Sequence, residues 1–531
     1  MSKFLQPLKF LLRALPLLLL AAPTVQAQTK VFKEVAQDMS SQLELIIQDG
    51  NLVGYLSFNQ LEKISADSFN YKLSIMDENL NDIGAVNFRE EKLFLKGVSF
   101  EQDVLCLAYV RSNFVDKEFR NNREFRREKD VAKAELFTQF VNLNGKILGT
   151  NTLKMDIKPD AQQEYASRKV VGSGSLKHKI QLHNIPGKGF ACFYGDDTKN
   201  NLLVFNTAGK LTWKKIITEE ASDFTMLTSG TEVDLLLKKK EKPEEGGFEI
   251  ISYNTQDSTT YPKFLLKDKK GNSLKVLAFD NDPTTGKPFV SGLVIDPVKG
   301  TRKTANTVTG LAHRNYLGVF NISLNGHTRK DIVPVFTYWA DAAKGGLFDE
   351  EGYCESANAF LYPKNSFRDY QGNTWFVGSG YHMGIRPQSI FGTAISPIFL
   401  FMTTGWCITR IKYYQSKNIM VVKQDPKGAL SLENNIPALR SERVYPRTLT
   451  YTCDQRSYYT VTNSDTKTDY VVIDDTKNIF IYNVNQKKIA RTIPHKDGNS
   501  LFYVFPAKEG HVMVSEYNKK EKQTRLSIEA L

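Results

Sequence analysis

The chain has 531 residues, a formal net charge of +12 and five cysteines. That length exceeds a simple single-core domain unless the fold is built from repeats. The charge excess is modest for such a chain and reads as simple solubility, and no cysteine pair has zinc-ligand spacing; for an exported chain, acidic glycans and anionic surfaces are more accessible partners than nucleic acid.

The first element is an export signal. Lys3, Lys9 and Arg13 flank or precede an apolar run at 14–22, followed by Val25-Gln26-Ala27. A positive end, a short apolar middle and a small-x-small exit define a cleavable secretory signal over 1–27. The run is well short of the ~20 residues that span a bilayer. The first cysteine is Cys106, so no lipid attachment point lies at the exit. Cleavage leaves 504 residues with a net charge of +9, expected in the periplasm or outside the cell. No transmembrane span is expected after cleavage. Residues 28–42 read as an N-terminal linker.

From there the chain is a succession of short apolar runs. Examples are LELIIQD (43–49), LFLKGVSF (93–100), VLCLAYVR (104–111), NLLVFNT (201–207), TEVDLLLK (231–238) and FEIISYN (248–254). KPFVSGLVI (287–295), YLGVFNIS (316–323), NTWFVGSG (373–380), NIMVVKQ (418–424), YVVID (470–474), NIFIYNV (478–484) and LFYVF (501–505) follow. They are rich in Val, Ile, Phe, Tyr and Leu and are bounded by Asn, Asp, Gly and Pro, the pattern of an all-β chain. Only 116–139 has helical character. Cys106 and Cys192 sit inside such runs and read as buried apolar positions. Five is an odd number, so at least one thiol is unpaired or pairs between chains; a bridge is expected, if anywhere, among Cys354, Cys407 and Cys453.

One turn recurs: NLNGK (142–146), NTAGK (206–210), SLNGH (323–327) and DPKGA (425–429), with looser forms at 296–300 and 483–487. Asn or Asp opens it and Gly supplies a positive φ. Recurrence with similar flanks indicates a repeated four-stranded unit, and such units stacked radially make a β-propeller. Segments 93–154, 178–217, 223–266, 273–326 and 456–493 are assigned to blades, and 499–529 supplies three strands. A fourth strand from 43–58 is expected to close the ring. The prediction is a β-propeller of about seven four-stranded blades over 43–531, with insertions near 112–134 and 327–410. The alternative is two all-β domains split near 310–370.

Two segments look like known blades. LLVFNTAGKLTWKKI (202–216), with Trp213 after the turn, resembles a blade of the quinoprotein-like propellers. RDYQGNTWFVGSG (368–380) resembles the repeat of two-component-regulator sensor propellers through Asp369, Gly372, Asn373, Trp375, Phe376 and Gly378. Both resemblances imply architecture and no chemistry. The chain as a whole resembles uncharacterised exported proteins of Bacteroidetes, of the domain-of-unknown-function type. A quinoprotein dehydrogenase needs vicinal cysteines and a Trp in most blades; this chain has four Trp and no adjacent cysteines.

The candidate ligand-facing site is GSGYHMGIRPQ (378–388), read as a glycine-rich loop. Its Tyr381, His382 and Arg386 could bind an anion or a carboxylate. Residues 387–409 carry no charge and read as buried strands with an internal loop. The mixed charges of 111–133 read as a solvated insertion with local ion pairs. The acids in YGDDTKN (194–200) and FDNDPTTG (279–286) read as turn-forming. No HExxH, GxSxG or Walker pattern occurs, so no catalytic residue, metal or cofactor is assigned. The leading function is a non-catalytic binding or scaffold propeller for a protein or glycan partner. The alternatives are a glycan-active hydrolase or lyase at the propeller mouth, and an envelope-associated assembly component.

Overall fold

The structure, a computed structural model, describes residues 28–33, 40–65, 68–114, 121–156, 180–196, 198–239, 247–295, 316–388, 409–444, 457–475 and 477–531. Their strands form eight antiparallel sheets. Blades 1 to 7 are continuous in sequence: 40–91, 93–155, 181–217, 221–266, 273–338, 359–444 and 457–494. Blade 8 takes three strands from 500–530 and its outermost from Gln28–Lys33, which pairs with Gln523–Ala530. Two-residue strands, Tyr353–Cys354 and Lys496–Asp497, extend blades 6 and 8. The expectation of about seven blades is therefore corrected to eight. The segment 43–58, expected to close the ring, belongs instead to the first two strands of a complete blade 1.

Strands are named a to d in order within each blade. The a strands of blades 1 to 7 touch in succession, so they ring the axis and d strands lie outermost. Burial follows from that position. The b strand Val104–Ser112 and the c strand Asn200–Asn206 are buried on both faces, because each is covered by a neighbouring blade on either side. The d strands Ile147–Met155 and Leu211–Ile217 alternate between exposed and covered positions. Eight apolar clusters fill the eight blade interfaces. One joins Tyr55 and Met76 of blade 1 to Met513 and Ile528 of blade 8, which closes the ring.

The recurring turn joins c to d. In blades 2, 3 and 6 the Asn142, Asn206 and Asp425 carbonyls accept from the Gly145, Gly209 and Gly428 amides. Their side-chain Oδ1 atoms accept from the Lys146, Lys210 and Ala429 amides at 2.8–2.9 Å. Gly209 has φ +80°, and a Cβ there would lie 2.7 Å from the Phe140 ring of blade 2. Gly50 has a similar φ, +82°, and open space. Gly209→Ala is expected to cost ~3 kcal/mol, from backbone strain plus overpacking, and Gly50→Ala ~1 kcal/mol from strain alone. Urea unfolding checks both; equal losses would show that the Phe140 contact is irrelevant.

Antiparallel alternation puts every a–b and c–d turn at one end of the ring. The strand ends joined by the long connections 113–133, 156–180, 240–247, 296–315, 339–358, 389–408 and 445–456 lie at the other. The region near 327–410, expected as an insertion, contributes Ile332–Tyr338 to blade 5 and Ala359–Arg368 and Thr374–Gln388 to blade 6. Within 112–134 the chain forms the helix Asn122–Asp130, and the nearby Arg111 pairs with Glu90 and Glu135. No helix among the described residues is long and apolar enough to cross a membrane.

Candidate functional site

The b strand of blade 4, Glu232–Lys239, presents two faces. Val233, Leu235 and Leu237 pack toward blade 3, and Leu236 packs toward blade 5. Strand periodicity puts Glu232 and Asp234 on the Leu236 face. They lie at the end of the blade 4–5 interface that carries the a–b and c–d turns. There the interface opens into a cleft of about 300 Å³.

Asp234 stands opposite Ser252 of the neighbouring strand, whose hydroxyl donates to Asp234 Oδ1 at 2.5 Å. Asp234 is only 3% exposed, and its Oδ2 accepts no hydrogen bond from the protein. Burial pushes its carboxyl up to about 6; the Ser252 hydroxyl and His327 oppose that rise, and Glu232 adds to it. His327, from the c–d turn of blade 5, donates from Nε2 to Glu232 Oε1 at 2.8 Å. Its ring stacks on Tyr261 with centroids 3.7 Å apart and planes within 4°. Lys287 donates from Nζ to the Asn325 carbonyl at 2.8 Å. Ile250, Phe264, Pro288 and Leu324 supply apolar wall. The arrangement offers acceptors in a polar recess, with the nearby Lys287 and His327 side chains already engaged.

Sequence reasoning named 231–238 as a strand and passed over its acids. The signal was present: two acids two positions apart, at the start of a strand otherwise apolar enough for burial on both faces. Such a pair needs a partner or an opening.

The residues that the sequence singled out lie elsewhere. Tyr381, His382 and Arg386 are on the b strand Thr374–Gln388 of blade 6, paired with Thr409–Gln424, and not in a loop. They approach the end opposite the cleft. Tyr381 is fully buried in the blade 5–6 core, edge-on to Tyr362 at 5.9 Å. His382 is half-buried, and the Arg386 side chain is outside the described structure. Most of the charge-free stretch 387–409 also lies outside the described residues, as do the signal segment 1–27, Cys407 and Cys453. Cys106, Cys192 and Cys354 are buried free thiols. Burial pushes Cys106 and Cys192 well above the ordinary thiol range.

The paired acids make turns, as expected. Asp196 Oδ1 accepts from the Thr198 and Lys199 amides, and Asp282 Oδ1 from those of Thr284 and Thr285. The sensor-like motif is also structural. Asp369 Oδ1 accepts from the Gln371 and Asn373 amides, and its Oδ2 accepts from the Trp375 indole at 2.8 Å. Among the described residues no cluster of three or more His, Cys, Asp or Glu could hold a metal.

Comparison with known proteins adds a family of undefined role and distant structural likenesses. Among solved structures, the chain is similar to the WD40 domain of SCAP from fission yeast, at 10% identity and TM-score 0.39, covering 95% of this chain and 98% of that one. It is also similar to the β-propeller domain of the Trilobed protease from Pyrococcus furiosus, at 9% identity and TM-score 0.34, covering 81% and 92%. A protein of unknown function from Bacteroides caccae matches at 8% identity and TM-score 0.25, covering 54% and 80%. No curated protein matches. Residues 8–120, which reach from the amino-terminal segment through blade 1 into blade 2, match a family of unknown function (DUF6770).

Proposed function

We propose that this is an exported, non-catalytic binding propeller of the kind found in Bacteroidetes, with the blade 4–5 cleft as its ligand pocket. The carrying observation is the cleft's construction: its lining includes a buried carboxylate with one oxygen that has no protein donor, framed by side chains that already have partners. The export half of the reading is supported by the features of 1–27.

A glycan-active hydrolase is the second reading, because Asp234 has the raised carboxyl of a general acid and Glu232 lies near it. The geometry favours binding. Glycoside hydrolysis needs carboxyl groups flanking the scissile bond. Glu232 and Asp234 are two residues apart on one strand, roughly 7 Å along it, and project from the same wall.

A thermal-shift panel of alkylamines, neutral sugars, carboxylates and phosphates tests the proposal on the purified protein. One class is expected to raise the Tm of the wild type and not of Thr231→Trp, which blocks the cleft rim. Binding unaffected by Thr231→Trp, or no binding by any class, overturns the assignment of the pocket. Conversion of a bound compound to product overturns the non-catalytic reading.

A further inference from the structure

We propose that the blade 4–5 cleft selects an organic cation, a primary ammonium or guanidinium group on a short aliphatic stem, seated between Asp234 and Glu232. The inference rests on the cleft being the ligand pocket and adds the chemistry of its occupant.

Four observations converge on that class. First, Asp234 lines the cleft and its Oδ2 is buried without a protein donor, which favours an occupant that brings one. Second, the site's own nitrogen donors are committed elsewhere. Lys287 is bonded to the Asn325 carbonyl and His327 to Glu232, and neither is bonded to Asp234. A ligand cation would stabilise two carboxylates on one wall, where a neutral donor would satisfy hydrogen bonding and leave the charge. Third, Ile250, Phe264, Pro288 and Leu324 supply apolar surface for a methylene stem, and about 300 Å³ suits a group of that size.

The fourth observation separates this class from its rivals. An inorganic divalent ion needs several oxygen ligands, and no cluster of three among the described residues provides them. A sugar ring is usually received on an open aromatic face. Tyr261 and His327 are stacked on each other, so each has one face already covered. An anionic ligand would meet two carboxylates.

Isothermal titration of the purified protein at pH 7.5 with agmatine and cadaverine, against D-glucose and glutarate, is the test. At least one of the two amines is expected to bind, and Asp234→Asn to weaken it tenfold or more. The asparagine retains an acceptor for Ser252, so the fold is preserved; circular dichroism and the Tm confirm that. Glu232→Gln is expected to weaken binding about threefold. Amine binding unchanged in Asp234→Asn overturns the proposal. Glucose binding that is lost in Thr231→Trp, with no amine binding, overturns the cation assignment while leaving the pocket intact. Silence from all four probes also overturns it, and the broader panel then decides the pocket separately.

Discussion

Replacing Arg368 by alanine is expected to lower folding stability by about 3–5 kcal/mol, the range for removing one partner of a buried ion pair. Arg368 ends the a strand of blade 6 and is 8% exposed. Its Nη1 donates to Asp282 Oδ2 and to Ser323 Oγ, both at 2.9 Å, and its Nη2 to Asn321 Oδ1 at 3.1 Å. The guanidinium also lies 4.6 Å from the Phe289 ring centroid. Asn321 continues the network to Gln424, Gln424 to Thr337, and Thr337 to the Gly428 carbonyl. Blades 5 and 6 are thereby buckled together at the turn-bearing end.

The cost arises from what Arg368 leaves behind. Burial alone would raise the Asp282 carboxyl, yet Arg368 and the Thr284 and Thr285 amides hold it below the usual range. Without the guanidinium, a mostly buried charge loses its main compensation. Arg368→Met keeps the stem and should cost nearly as much. Adding Asp282→Asn should recover part of the loss, because asparagine can still accept from the two turn amides. Urea unfolding of the single and double variants measures the coupling. A loss below ~1 kcal/mol in Arg368→Ala, or strict additivity in the pair, would mean the network is incidental.

The second large effect depends on pH. Asp469 begins the buried part of the b strand of blade 7; it is 1% exposed and its Oδ1 has no protein donor. Burial pushes its carboxyl up to about 7, and Asp369 across the blade 6–7 interface adds to the rise. An unfolded aspartate titrates near ~3.9. Below that value both states hold the proton and the site imposes no penalty. Between about 4 and 7 only the unfolded chain releases it, so stability falls by ~1.4 kcal/mol per pH unit. Above about 7 the loss levels off near ~4 kcal/mol. Asp469→Asn should therefore be more stable than the wild type at pH 8, by about 2–4 kcal/mol after the amide's own burial cost. The advantage should shrink toward pH 4. Chemical unfolding at pH 4.5, 6 and 8 gives the difference; a constant offset across that range would place the Asp469 titration outside it. Asp234 acts in the same direction over a narrower window, from about 4 to its value of about 6.

Asn321, the hydrogen-bond partner of Arg368, shows why motifs need their surroundings. Asn321-Ile322-Ser323 matches the glycosylation acceptor pattern, relevant only in a eukaryotic secretory host. In the folded ring Asn321 is 5% exposed and bonded to Arg368 and Gln424. The sequon is sealed by the same buckle that joins blades 5 and 6.

Several blades were legible with nearly correct limits: 93–154 against the observed 93–155, 178–217 against 181–217, and 223–266 against 221–266. Their b and c strands are almost continuously apolar, and their turns carry Asn or Asp with Gly. The miscount arose at the ends of the chain and in blade 6. Gln28–Lys33 has only two apolar residues, Val31 and Phe32, because an outer strand is wet on one side, and it reads as a linker. With 43–58 lent to the last blade, the first blade lost its identity. In blade 6 the interval between b and c is long and uncharged, which breaks the spacing of the repeats.

The sequence alone determined the all-β character, the hairpin turns and the burial of the central strands. Each depends on residues within a few positions of one another: side-chain alternation along a strand, or an Asp or Asn capping its own turn. Tertiary structure alone decided the number of blades, the strand that closes the ring, the Arg368 buckle and the blade 4–5 cleft. Those features join residues far apart in the chain; Asp282 and Arg368 are separated by 86 positions, and Glu232 and His327 by 95. Such pairings depend on how blades turn about the axis, and no local pattern records that rotation.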